Sequence, residues 1–392
     1  MKTGDLTLVK QINKSIVLNE IEKKGPISRA QISKDTGLNK TTVSTMVSEL
    51  IEDKLVNELG QGQSSGGRKP VMLYFNTHAG YAIGIDLGVN YILAVLTDLS
   101  GEIVEEESIP LSCQSAEEIM QALRSLIRSL IEKSPDSPYG VVGIGIGAPG
   151  IVDPEGLILF TPYLDLNQVN LKQILEDEFN IPTLIDNEAN TGALGEHLYG
   201  AGKNAMNLIY VSVGIGIGTG IIINGQLYKG ATGISGEMGH LTIEVNGRKC
   251  SCGNRGCWEL YASESALLTE AKKLEYFKDT SSITLDHIES EAKKGNKDVL
   301  RLLHTIGEYN GVGLVNIINT FNPDMLIIGN RMARFENWIM NPIKSVLDDR
   351  LSAFHGNAVN LTVSSLGKYS NALGASAFVI SKFLDINRVK VI

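Results

Sequence analysis

Residues 230–259 read GATGISGEMGHLTIEVNGRKCSCGNRGCWE, and the reading of the whole body turns on this stretch. Cys250, Cys252 and Cys257 are three of the four cysteines in the chain, and His240 stands ten residues before the first of them. Three thiolates and one imidazole make the closed tetrahedral shell of a structural zinc, and Gly253 and Gly256 let so short a loop fold back around an ion. A plain alternative is three reduced cysteines buried beside a core histidine. A catalytic zinc would keep a position open for water, whereas here four protein groups fill the shell. The expectation is a structural zinc held by His240, Cys250, Cys252 and Cys257.

Carboxylates flank this knot. Glu237 comes three residues before His240, and Glu259 two residues after Cys257. Acceptors fixed around a metal-oriented imidazole can bind a row of neighbouring hydroxyls, which is what recognition of a sugar demands.

Upstream, LIYVSV runs into Gly214, Gly216, Gly218 and Gly220 within an uncharged run between Lys203 and Lys229. Its Asn and Gln residues and alternate glycines suit buried strands around a turn and argue against a membrane span. Residues 171–200 give a helix, a short strand and a second helix beginning near Asn187. In GIGIGAPGIVD, residues 143–153, Gly145, Gly147 and Gly150 formally spell a dinucleotide fingerprint. No helix pattern follows and Pro149 interrupts the spacing, so a nicotinamide site is not expected there. YAIGIDLGVNYILAVLTD, from Tyr81, gives two apolar runs around a turn. Downstream of the knot, residues 263–277, 284–294 and 297–320 carry helical spacing, MLIIG reads as a buried strand, and NALGASAFVISKFL as a final helix. Cys113 reads as inert, Trp258 as packed beside the knot, and the run Glu105 to Glu107 as a solvated strand edge.

The N-terminal 75 residues have a different character, with 11 Lys and Arg against 8 Asp and Glu in a chain whose net charge is −9. This basic end is the nucleic-acid candidate. Val9, Ile12, Ile16 and Val17 recur at helical spacing up to the breaker pair Gly25-Pro26. Ser28 with Gln31 forms a capping-box pattern opening a short helix that Gly37 ends, and Asn39 caps a third helix with Val43, Met46, Val47, Leu50 and Ile51 on its inner face. That order is a helix-turn-helix. The outer face of the third helix carries Lys40, Thr41, Thr42, Ser44 and Thr45, where a recognition helix presents side chains to major-groove edges. Two strand-like runs then flank GQGQSSGGRKP, a wing whose Arg68 and Lys69 suit the narrow minor groove. Trihelical domains also serve as protein-interaction modules, and an Arg-Lys pair beside glycines can be a solvated loop; the pieces in this order point to DNA.

With 392 residues, 20% of them charged and 43% hydrophobic, the chain suits two or three globular domains. The first twenty residues alternate charged and apolar positions and show no signal-peptide run. Three cysteines in a metal pattern fit a reducing cytoplasm better than a disulfide framework.

The pattern G-x-x-G-x-x-G-E-x-G-H, followed by C-x-C-G-x-x-G-C-x-E, resembles the signature of the ROK family of sugar kinases and sugar-responsive repressors. The resemblance extends over essentially the whole chain. It implies an α/β fold: an N-terminal winged helix-turn-helix in residues 1–75, then a two-lobed body of the actin-like ATPase and hexokinase type. Its lobes are expected at 80–200 and 201–392, with the C-terminal helix returning to the first. Family repressors carry the winged helix and family kinases lack it.

The resemblance also assigns roles. In the kinases Asp-x-Gly-Gly-Thr holds ATP phosphates, and here it reads Asp86-Leu87-Gly88-Val89-Asn90. β-Branched Val89 resists positive φ and adds bulk, and Asn90 lacks the threonine hydroxyl. The kinase base lies in Asn-Asp-Ala-Asn, here Asn187-Glu188-Ala189-Asn190, and the extra methylene displaces the carboxylate on a scale that costs about 100-fold in rate. Glu188 remains able to accept a hydrogen bond from a sugar; as an ordinary acid at a helix start it would serve the dipole instead. In the second phosphate loop Ile215 replaces a threonine and Thr219 a glycine. The implied protein is therefore no enzyme and has no catalytic residues. It is a cytoplasmic repressor of a sugar-utilisation operon, a homodimer or larger homo-oligomer that binds operator DNA and no membrane. Its effector would be bound by Asn187, Glu188, Glu237, His240 and Glu259. Within the family the chain looks closest to the xylose-responsive repressors of Gram-positive bacteria, which implies D-xylose; the rival is an active sugar kinase that also binds DNA.

Overall fold

The computed structural model describes residues 6–61, 70–111, 115–153, 155–352, 354 and 359–384. The N-terminal unit packs α1 (Leu6–Lys24), α2 (Arg29–Thr36) and α3 (Lys40–Glu52) on a small sheet of β1 (Ile27–Ser28), β2 (Val56–Gln61) and β3 (Val71–Phe75), ordered β1-β3-β2. The Ser28 hydroxyl accepts from the Gln31 amide at 3.2 Å. The Gln31 side chain does not return to the cap but donates to Asp35 at 2.5 Å, so half of the capping box forms. Gly37 ends α2 at φ 73°, and Asn39 Oδ1 accepts from the Thr42 amide at 2.8 Å.

The long first helix departs from its expected face. Only Val17 among its four spaced apolar residues is buried; Val9, Ile12 and Ile16 are exposed, and the inward side is Val17, Leu18 and Ile21. Length explains this: α1 has 19 residues and α3 has 13, so at about 1.5 Å per residue the first turns of α1 overhang the core.

Lobe one comprises β4 (Tyr81–Leu87), β5 (Tyr91–Asp98), β6 (Ile103–Pro110), α4 (Ala116–Lys133), β7 (Val141–Ala148), β8 (Ile151–Val152), β9 (Ile158–Phe160), α5 (Leu171–Phe179), β10 (Thr183–Asn187) and α6 (Glu188–Leu198). Its main sheet is ordered β10-β7-β4-β5-β6, with β4 parallel to β7 and antiparallel to β5. The run Glu105 to Glu107 lies on the edge strand β6, yet two of its acids are engaged: Glu106 pairs with Lys368 and Glu107 with Lys133.

Lobe two comprises β11 (Leu208–Val213), β12 (Ile217–Ile223), β13 (Gln226–Leu227), α7 (Glu259–Ala262), α8 (Glu264–Ala271), α9 (Leu285–Lys293), α10 (Lys297–Phe321), β14 (Met325–Gly329), α11 (Glu336–Arg350) and β15 (Asn360–Val363), after which α12 (Ser370–Leu384) returns to pack against β4, β7 and α6 of lobe one. Its sheet is ordered β13-β12-β11-β14-β15. The helix expected over 263–277 stops at Ala271, and a short 3-10 turn follows at Glu275–Phe277. Trp258 is fully buried and packs against Gly313 of α10, where no Cβ would fit.

Strand β7 explains its own glycines. Side chains alternate across a strand, so Ile144 and Ile146 enter the core shared with α4, while Gly143, Gly145 and Gly147 face the other way. There α12 and α6 lie against the sheet: a Cβ on Gly145 would stand 1.9 Å from the Ala375 carbonyl, and one on Gly84 of β4 would stand 2.0 Å from the Ala372 carbonyl. The formal dinucleotide fingerprint is thus in part a groove for a helix. Between α6 and α12, Gly195 and Gly374 permit equally close approach. The fully buried Glu196 accepts there from Ala201 N and Ser370 Oγ, both at 2.9 Å. The far end of α12 leaves lobe one: Val379, Ile380 and Leu384 belong to the same apolar cluster as Val17, Val43, Val47 and Leu50 of the N-terminal unit.

Candidate functional site

A cavity of about 390 Å³ lies between the lobes, bounded by Val89 to Tyr91, Pro149 to Ile151, Asn187, Glu188, the Gly214 to Thr219 turn, Glu237, His240 and Glu259. The structure therefore brings all five expected sugar contacts to one cavity. They arrive from three places: the start of α6, the 3-10 turn at Met238–His240, and the start of α7.

His240 organises the lobe-two wall. Its Nδ1 stands 3.6 Å from Cys250 Sγ and 3.4 Å from Glu259 Oε1, while Nε2 faces Glu237 Oε2 at 3.9 Å. Cys252 Sγ lies 3.7 Å from Cys257 Sγ, and the four ligand atoms all fall within 4.8 Å of one another. A tetrahedral ion with sulfur ligands at about 2.3 Å spaces them about 3.8 Å apart, so this cluster fits a metal. Burial pushes the Cys257 thiol up to about 12 and raises that of Cys250, a protonated state that a bound dication would reverse. With a metal on Nδ1, the imidazole is left with Nε2–H as a donor toward Glu237. Desolvation in the cleft raises the Glu237 carboxyl. Glu259 reaches its place because Gly216 has no Cβ; one would lie 2.8 Å from Glu259 Oε2.

Asn187 and Glu188 come from the junction of β10 and α6. Asn187 donates through Nδ2 to the Gly150 carbonyl at 2.7 Å and accepts at Oδ1 from Ala189 N at 2.8 Å, capping α6. One N–H and one lone pair remain for a ligand. Glu188 accepts from Ser212 Oγ at 3.4 Å, and Ser212 in turn accepts from Asn330 Nδ2 at 2.9 Å. Burial, reinforced by the Asp86 carboxylate, pushes the Glu188 carboxyl up to about 7. Lys229 crosses from lobe two to Asp186, beside this junction, at 2.7 Å.

The loop after β4 is closed by a residue that sequence reading did not single out. The Tyr91 ring lies over Gly88, where a Cβ would stand 2.4 Å from it, and its hydroxyl donates to Asp86 at 2.7 Å. Asn371 of α12 donates to the other Asp86 oxygen at 3.2 Å, and burial pushes this carboxyl up to about 6. In the second glycine run the Thr219 hydroxyl is spent on the Gly236 carbonyl at 2.7 Å, and Gly220 admits the start of α6. Asn330 and Arg331 were also missed. Asn330 takes φ 64° and ψ −165°, a conformation that costs about 1–3 kcal/mol outside glycine and clusters at binding sites. A polar pair directly after a buried strand was the available signal.

On the N-terminal unit, Lys40, Thr41, Ser44 and Thr45 are exposed along one side of α3, and Thr42 is half-buried behind the Asn39 cap. Arg68 and Lys69 lie outside the described residues. The C-terminal end of α3 is fastened to the body: Tyr139 donates to the Asp53 carbonyl at 2.8 Å, and its ring meets Phe383 edge-on at 4.9 Å.

A family model described as ROK family matches residues 82–382, and one described as winged helix-turn-helix DNA-binding matches residues 13–57. The chain is 49% identical over 390 residues to the xylose repressor of Bacillus spizizenii, a match covering 98% of this chain and 99% of that one. It is similar to the crystal structure of a ROK family transcriptional regulator, a homolog of the Escherichia coli MLC protein, with TM-score 0.83, 26% identity and coverage of 96% and 97%. A ROK family glucokinase from Streptomyces griseus, solved with glucose and AMPPNP, matches with TM-score 0.70 and 28% identity over 76% of this chain and 99% of that one.

Proposed function

The chain belongs to the ROK family, and from that premise we propose that it is a sugar-responsive transcriptional repressor, released from operator DNA when D-xylose fills the cavity between its lobes. One observation carries this reading: a winged helix-turn-helix shares its core with a body whose cavity keeps three carboxylates and a histidine for hydroxyls, while Tyr91 covers the first phosphate loop. The xylose repressor of Bacillus spizizenii supports the choice of sugar. DNA contacts are assigned to Lys40, Thr41, Thr42, Ser44 and Thr45, with Arg68 and Lys69 on the wing. The metal is zinc, which supplies a fixed imidazole orientation and loop closure rather than chemistry on a substrate. Residues 1–75, 80–200 and 201–392 are the functional units, and a cytoplasmic homodimer or larger oligomer presents paired winged helices to a palindromic operator. Among the described residues no helix is long and apolar enough to cross a membrane.

A kinase that also binds DNA is the rival reading, and Glu188 favours it: a carboxyl near 7 is poised for general-base work. Two measurements separate the readings. Saturating D-xylose at ~100 times its dissociation constant should stabilise the protein by about 2.7 kcal/mol in a melting experiment, and should weaken operator binding by roughly 5- to 150-fold. ATP, magnesium and xylose should yield no sugar phosphate above background; a turnover near ~10 per second would establish the kinase instead.

A further inference from the structure

The cavity has a second wall whose chemistry is opposite to that of the carboxylates. Phe160, Pro162 and Tyr163 line it from lobe one, and the two aromatic side chains are 50% and 46% exposed. Large aromatics at the mouth of a cavity supply the apolar surface that ligand sites use beside their few polar groups. The segment carrying them is pinned on both sides. Thr161, 3% exposed, donates its hydroxyl to the Leu164 carbonyl at 2.5 Å, and its amide donates to Asn167 Oδ1 at 2.7 Å. Leu164 and Leu166 are buried in the lobe-one core, so Pro162 and Tyr163 stand on a fastened turn. Tyr163 lines the same cavity as Glu237, His240 and Glu259 of lobe two.

We propose that Tyr163, which lines the cavity together with Phe160, is a specificity-determining residue that stacks on the C–H face of a pyranose whose hydroxyls are held by Glu237, His240 and Glu259. This rests on the sugar-responsive reading and deepens it. A pyranose with only equatorial hydroxyls, such as β-D-xylopyranose, has two flat C–H faces and a polar rim. An axial hydroxyl turned toward the aromatic wall would lose its water and gain no partner. The wall therefore selects equatorial pentoses over epimers such as D-lyxose, while the opposite wall supplies hydrogen bonds that many aldoses would accept.

The test is calorimetric titration of the full-length protein with D-xylose and D-lyxose, using Tyr163→Ala and Tyr163→Phe beside the parent. Aromatic contacts are worth up to about 1.5 kcal/mol, so Tyr163→Ala should weaken D-xylose binding about tenfold and shrink the xylose-to-lyxose ratio. Tyr163→Phe should keep both. Sugar-free operator binding should be equal in all three, which identifies folded protein. If Tyr163→Ala binds both sugars as the parent does, the stacking role is overturned and the repressor reading stands. A parent that binds neither these nor any other monosaccharide overturns both.

Discussion

The lobe-two wall from Glu237 to Glu259 and the lobe-one loop from Asp86 to Tyr91 face one cavity, and only the second departs from the kinase pattern. The first keeps every residue of its motif, and the atoms of His240, Cys250, Cys252 and Cys257 converge within 4.8 Å. The second has lost the glycine and threonine of its motif, and Tyr91 fills the space over Gly88 with its hydroxyl spent on Asp86. Hydroxyl recognition needs acceptors at fixed places; phosphate recognition needs bare backbone and an open approach. The Tyr91 ring over Gly88 narrows that approach while leaving the acceptors of the lobe-two wall in place. A body similar to a ROK family glucokinase thus sets a sugar-facing wall with its motif intact beside a first loop whose approach Tyr91 narrows.

Breaking the preserved side should have the largest effect. Cys252→Ser removes one ligand from the knot, and the ring of His240 loses its anchor. Loss of a metal-orienting group typically costs 10–100-fold, so D-xylose affinity should fall by about that factor, together with zinc content by elemental analysis and melting temperature. Stoichiometric zinc in the variant, or an unaltered sugar response, would dissociate the knot from the pocket.

Where the walls meet, Glu188 should make the sugar-free protein sensitive to pH. Its folded value near 7 lies above the ordinary 4.5, so its contribution to stability is fully present below pH 4.5 and is lost as pH rises through 7. The melting temperature of the sugar-free protein should decline across that window by more in the parent than in Glu188→Gln, whose amide does not titrate. Parallel curves would show that Glu188 is solvated and ionised throughout.

The eroded side should respond least. Tyr91→Phe removes a hydrogen bond to a buried carboxylate, a change of about 2 kcal/mol in stability, and pushes Asp86 further up because a donor that favours its charged form is gone. Sugar affinity and operator release should stay within about threefold of the parent, below the 1.4 kcal/mol of a tenfold change. A collapse of the sugar response would mean that the closed loop belongs to the sensor.

Local chemistry is what sequence reading captured. Ser28, Gly37 and Asn39 act within three or four residues of themselves, so the helix-turn-helix could be read from their spacing, and the knot could be read because its three cysteines fall within eight residues. Distance along the chain is what defeated it. Gly84, Gly143 and Gly145 are small because of α12, which arrives more than 200 residues later, and Gly145 with Gly147 and Gly150 only formally spells a nucleotide motif. Tyr91 and Tyr163 are single aromatics indistinguishable from core until the fold sets one over Gly88 and the other at the cavity mouth. On α1, periodicity located the helix but not its covered length, since what buries a helix face is the size of its neighbours.

The seam between α6 and α12 ties the cavity to the N-terminal unit through one unbroken run of packed contacts. Helix α6 begins at Glu188 in the cavity and is pressed against α12 by glycines too tight to slip, while α12 ends with Ile380 and Leu384 in the core behind the recognition helix. Fifteen helical residues span about 22 Å, so a tilt of roughly 5° about one end carries the other about 2 Å. A phosphate contact lasts over a range of about 0.5 Å, from 2.7 to 3.2 Å. Along so tightly packed a seam, a tilt of α12 too small to reshape either lobe would displace its far end by more than a contact of that range tolerates.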